Sequence, residues 1–227
     1  VLAVLFLVFN EGYLATGPDT DPVRHDLTGE AIRLARLIRG LVPEDGEVAG
    51  LLALMLLTDA RRGARVSPSG ELVPLGQQDR RAWDVALIAE GHRLVRERLA
   101  AGVAPGRYQI LAAISAVHTS ARDIRDTDWS QVVALYDQLV SLDPSPIVAL
   151  NRAIAVAELD GPEVALAAVD RLEPRLAGYH AYHVTRADLL RRLGRGEESR
   201  AAYDRAIELA GNTAETAHLT RRRDQLG

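Results

Sequence analysis

The sequence predicts an all-α protein with a helical N-terminal half, interrupted by one small loop or hairpin, and a C-terminal half of helical hairpins stacked as an array. Three observations in the stretch 134–210 carry the prediction. Tyr136, in Ala-Leu-Tyr-Asp-Gln-Leu, and Tyr203, in Ala-Tyr-Asp-Arg-Ala-Ile, lie 67 residues apart, close to two periods of about 34. Leu159-Asp160-Gly161 and Leu193-Gly194 each close an apolar run, with their glycines 33 residues apart. Leu142-Asp143-Pro144 ends one unit where proline blocks continuation of a helix and favours the start of the next.

A single helical hairpin cannot bury both of its apolar faces, so neighbouring hairpins must stack and share a continuous core. Small residues then belong where helices touch, at Ala153, Ala157, Ala165, Ala187 and Ala206, with Leu150, Leu159, Leu166, Leu190 and Ile207 supplying buried area. The region resembles a tetratricopeptide array in its period, its inter-helix turns and its proline terminator.

The elements follow in order. Val1 to Leu14 is predicted as a buried helix ending near Asn10-Glu11-Gly12-Tyr13, followed by a polar loop from Thr16 to Pro22. Leu27 to Leu41 is amphipathic, with Ala31, Leu34, Ala35, Ile38 and Leu41 opposing Arg33, Arg36 and Arg39. Pro43-Glu44-Asp45 opens a third helix with acid in its first turn. Val48, Leu51, Leu52, Met55 and Leu56, joined by Leu54 and Leu57, make that helix apolar on nearly every side, which predicts a central position. The Pro-Ser-Gly turn within 65–74 predicts a small hairpin or ordered loop. Helix resumes from Gln78 to Ala101, and again from Pro105 to about Ala121. Asp126-Thr127-Asp128 is placed to cap the helix starting at Trp129. A soft boundary near Arg125 divides 1–125 from the repeats of 126–227.

Composition narrows the function. The chain of 227 residues is 48% hydrophobic and 26% charged, ordinary for a globular protein with a real core. Aromatics at 4% argue against base-stacking surfaces, and a net charge of −4 argues against this chain alone gripping a phosphate backbone. The absence of cysteine excludes disulfides and thiolate metal sites and makes the cytoplasm the default compartment. The apolar opening, Val1 to Phe9, is too short to span a bilayer and lacks the cationic flank of a signal peptide. A start at Val1, in mid-helix, suggests a piece of a longer protein.

Chemistry-bearing patterns are sparse. Of the histidines, only His180 and His183 are close, and no His-Glu-x-x-His pattern accompanies them. No phosphate-binding glycine loop and no Gly-x-Ser-x-Gly elbow occur, so the expectation is a protein that is not an enzyme. Asp59, Arg61 and Arg62, with Asp79 and Arg80, flank the 63–78 loop and are read as polar anchors that hold it against the helices.

Blocks along the whole chain add a second resemblance: Leu7-Val-Phe-Asn-Glu-Gly-Tyr13, Glu30-Ala-Ile-Arg-Leu-Ala-Arg36, Gly50-Leu-Leu-Ala-Leu-Met-Leu-Leu57, Asp59-Ala-Arg-Arg62, Gln78-Asp-Arg80 with Trp83, Ala86-Leu-Ile-Ala-Glu-Gly91, Tyr108-Gln109, Asp126-Thr-Asp-Trp129, Ala149-Leu-Asn-Arg-Ala153 and Arg186-Ala-Asp-Leu-Leu-Arg-Arg-Leu-Gly194. In this order they resemble the C-terminal, tetratricopeptide-like extension of extracytoplasmic-function RNA polymerase sigma factors. The resemblance implies a regulatory part of a bacterial transcription-initiation factor, with protein partners among the sigma core regions, the polymerase or a regulator. It implies promoter DNA contact only through upstream regions absent from this chain, no membrane, and no cofactor. The alternatives are an unrelated repeat scaffold that binds a peptide, and a small-molecule sensor or enzyme.

Tetratricopeptide arrays line a concave face with the first helix of each pair. With Ile147 as a first repeat position, Asn151 resembles the asparagines that bind a peptide backbone or terminal carboxylate there. Glu158 and, one repeat on, Asp188 and Arg191 extend the candidate groove.

Overall fold

A computed structural model describes residues 1–13, 24–67, 73–211 and 213–226. Among these the fold is all α, with thirteen α-helices, three short 3-10 turns and no strand. The chain divides into two compact units, Val1–Asp128 and Trp129–Gly227.

The first unit is built around α3 (Gly46–Asp59), in which every residue from Val48 to Leu57 is buried. It packs against α1 (Leu2–Tyr13), α2 (His25–Leu41), α5 (Val85–Ala100) and α6 (Arg107–Ser120), while the one-turn α4 (Arg62–Arg65) follows it. The central position expected from its all-round apolarity is what the structure shows. Asp45 starts α3 by accepting from the N–H groups of Glu47 and Val48 at 2.9 and 3.2 Å. Glu47 then reaches across to α6, its carboxylate accepting from the N–H groups of Tyr108 and Gln109 at 3.1 and 3.2 Å. Two orphan amides of one helix are thus satisfied by another. Gly50 makes the approach possible, because a Cβ there would lie 2.5 Å from Gln109 N.

Three expectations are corrected. Helix α1 is not buried all round: Leu5, Phe9 and Gly12 face the core, whereas Val4 and Leu7 are exposed, because α1 packs with one side against α2 and α3, where Phe6 also meets Tyr108 of α6 edge to face. Leu41 and Leu159 are also exposed, each lying at the last turn of its helix. Helix α5 begins at Val85, not Gln78, since Asp79 closes a 3-10 turn over Arg80–Ala82 and Asp84 provides the cap, accepting from Ala86 and Leu87 N–H at 2.9 and 3.0 Å. The loop from Thr16 to Pro22 lies outside the described residues, as do residues 68–72 of the expected hairpin. Val73 N–H donates to Arg65 O at 2.7 Å across that interval.

The second unit contains α7 (Trp129–Leu142), α8 (Pro146–Leu159), α9 (Pro162–Asp170), the one-turn α10 (Glu173–Leu176), α11 (His180–Arg192), α12 (Gly196–Glu208) and α13 (Thr213–Asp224). Each long helix packs on the next long one. Gly161 and Gly194 both have positive φ, 94° and 72°, so glycine reverses the chain at the same place in successive hairpins. The alanines assigned to helix contacts, Ala153, Ala157, Ala165, Ala187 and Ala206, are all buried. They enclose a core with Leu150, Leu166, Tyr182, Leu190 and Tyr203. The buried Ser199 hydroxyl donates to Ala187 O at 2.8 Å, satisfying a polar group at the α11–α12 contact.

Candidate functional site

The repeat places exposed side chains in register as firmly as it places the core. On α8, Ile147, Asn151, Ile154 and Glu158 are all exposed. Their spacing of four, three and four residues puts them on one face of the helix. The residues 34 positions on, along α11, are Ala181, Thr185, Asp188 and Arg192.

Two ion pairs tie these first helices side by side, each joining residues one period apart. Arg192 Nη1 donates to Glu158 Oε1 at 2.5 Å, and Arg222 Nη2 donates to Asp188 Oδ1 at 2.8 Å, both with a sequence separation of 34. A second ladder joins each hairpin's second helix to the helix that follows. Asp137 accepts from Arg152 at 2.6 Å, Asp170 from Arg186 at 2.8 Å and Asp204 from Arg223 at 2.9 Å. None of Asp137, Asp170 or Asp204 stands out singly in the sequence. Aligning the chain on its own period does reveal them, because they recur at intervals of 33 and 34 residues.

The residues expected in the groove are placed as follows. Asn151 is exposed in the middle of the α8 stripe, and Glu158 lies at its end, paired with Arg192. Asp188 occupies the matching face of α11, where it accepts from Arg191 at 2.7 Å as well as from Arg222. Arg191 is held on its own helix by Asp188, whose hydrogen bond raises the guanidinium pKa, and Arg192 is the residue in register with Glu158.

The polar anchors of the first unit separate into different roles. Buried Asp59 pairs with Arg62 one turn on. Arg61 Nη2 donates to Tyr13 Oη at 3.3 Å, and Asp79 closes its turn while pairing with Arg81. Arg80 Nη1 donates to the carbonyls of His118 and Ala121 at 2.6 and 2.7 Å, satisfying the C-terminal end of α6. Its guanidinium lies over the Trp83 ring, 4.5 Å from the centroid. His118 is pushed down to about 4 by burial and by the charges of Arg61 and Arg80, so its imidazole is neutral at physiological pH. His180 and His183 are not joined by carboxylates, and no group able to hold a metal ion occurs among the described residues.

A solved structure shares this fold along nearly its whole length. A thermophilic tetratricopeptide-repeat protein of Thermus thermophilus superposes with a TM-score of 0.60 over 99% of this chain and 96% of its own, at 17% identity. The fold is of the tetratricopeptide type. Residues 1–99 also match the profile of DUF6596, a family of unknown function. An uncharacterized protein of Rhizobium meliloti (strain 1021) is 46% identical over all 227 residues, which make up 53% of its length. The chain therefore spans about half of that relative. Among the described residues, no helix is long and apolar enough to cross a membrane.

Proposed function

We propose that this chain is a protein-docking module that regulates a bacterial RNA polymerase sigma factor during transcription initiation, and that it is not itself an enzyme. The observation that carries the docking part is the exposed stripe Ile147, Asn151, Ile154 and Glu158, aligned with the polar face of α11. Apolar and polar side chains alternate along it. An extended peptide would bury the two isoleucines, exposed at 44% and 42%, while Asn151 donates and accepts hydrogen bonds at its backbone. Glu158, Asp188 and Arg191 would border the groove as charged residues that select the partner.

The assignment to transcription initiation rests on the ordered sequence blocks that run from Leu7 to Gly194. Two further observations are compatible with it. The net charge of −4 suits a module that leaves DNA reading to other regions, and the Rhizobium meliloti relative carries nearly as much sequence outside the aligned part. The partner in this reading is the sigma core, the polymerase or a regulator, and the compartment is the cytoplasm.

The test is transcription from a cognate promoter in a reconstituted system, using the intact protein that contains this chain. Asn151→Ala and Ile154→Ser should reduce activated transcription and copurification with polymerase without changing the melting temperature. Unchanged transcription by both variants would sink the groove assignment. Failure of the intact protein to associate with polymerase at all would sink the sigma-factor assignment while leaving a docking module for another partner.

A further inference from the structure

Arg61, Arg80 and Trp83 gather hydrogen-bond donors that nothing in the described structure uses. Arg61 Nε, Arg80 Nη2 and Trp83 Nε1 are all buried without an acceptor. The three residues are neighbours: Arg80 stacks on Trp83, and Asp84 N–H donates to Ala60 O at 2.8 Å, bringing the chain beside Trp83 against the chain beside Arg61. The charges of Arg61 and Arg80 also oppose each other, that of Arg61 lowering the pKa of Arg80 after the larger effect of burial.

Neither arginine has a carboxylate partner among the described residues. Asp59 is paired with Arg62 and Asp123 with Arg125, and Asp123 and Asp126 act on Arg80 only through space, with no ion pair to it. Holding two like-charged guanidinium groups beside each other with no direct ion pair to either is costly, and so is burying three unfilled donors. An anion among them would offset both costs.

The geometry of the donors narrows the kind of anion. A planar carboxylate is best met by two parallel N–H groups from one guanidinium. Here each arginine has already used one terminal nitrogen, Arg61 on Tyr13 Oη and Arg80 on two carbonyls, and each leaves one nitrogen buried and unpaired, Nε of Arg61 and Nη2 of Arg80. Single donors from three separate groups suit a tetrahedral oxyanion. We infer that Arg61, Arg80 and Trp83 form a binding site for a phosphate group, free or carried by a small phosphate ester. The site lies in the first unit, so it stands or falls separately from the α8 groove.

Thermal unfolding of the 227-residue chain in inorganic phosphate, in glycerol phosphate and in acetate, each compared with chloride at matched ionic strength, tests the site. At about tenfold over the dissociation constant, phosphate or its ester should raise the transition by about 3 °C or more. Stabilisation by either supports the site, and the probe that acts names the source. In a Trp129→Phe background, which leaves Trp83 as the only tryptophan, the same probe should change the emission. Arg61→Met and Trp83→Phe should each remove the response, the second remaining informative if the first fails to fold. An equal response to acetate, no response beyond chloride, or a response retained by both variants would overturn the inference.

Discussion

At the scale of single residues, His118 makes a direct prediction about pH. Its folded pKa of about 4 lies below the ordinary value of 6.5, so the unfolded chain binds the proton first. Stability should be complete above about pH 6.5 and fall as pH drops from there towards 4, by up to about 3 kcal/mol. Urea unfolding at pH 7.5 and 5.0 measures this, and His118→Gln should flatten the difference. Asn151 makes the opposite kind of prediction. Exposed and outside the ion-pair ladders, it should tolerate Asn151→Ala within about 0.5 kcal/mol by chemical denaturation. Any loss of partner binding by that variant would then be a loss of contact.

Helices in the first unit are positioned by close approach more than by surface charge. Gly50→Ala should destabilise by about 1–3 kcal/mol, since the new methyl meets the Gln109 backbone at 2.5 Å and backbone cannot swing aside as a side chain can. Thermal or urea denaturation reads that cost directly. The ion-pair ladder of the second unit should behave differently. Arg186 is largely shielded, at 28% exposure, but Asp170 is 46% exposed, and pairs open to water contribute little. A double-mutant cycle on Arg186 and Asp170 should return less than about 1 kcal/mol, because the ladder sets register while the buried alanines and leucines carry the stability.

For the molecule as a whole, the division at Asp128 and Trp129 gives each unit its own apolar core. A fragment covering residues 129–227 should therefore fold alone, with helical circular dichroism and a cooperative melt; a non-cooperative, largely unstructured fragment would contradict this. The 227-residue chain should also fail to bind promoter DNA tightly at physiological salt. Its net charge is −4, and each phosphate contact loses affinity as salt rises. A gel shift run across a salt series distinguishes tight binding from weak low-salt attraction.

The sequence by itself determined the all-helical class and the hairpin period, because those depend on local apolar spacing, proline and glycine that act within a few residues. It also marked α3 as central, since a helix apolar on every side has nowhere else to go. Tertiary structure decided which faces found a partner. Val4 and Leu7 are as apolar as Leu5 and Phe9, yet exposed, because only one side of α1 meets the other helices of its unit. It also decided the charge pairing: nothing local distinguishes Arg191 from Arg192, and only the placement of α8 beside α11 gives Glu158 to the second. Arg80 reads in the sequence as an anchor beside Asp79, but its contacts with the end of α6 lie 38 and 41 residues away. Distances of that kind are fixed by packing, and no local pattern encodes them.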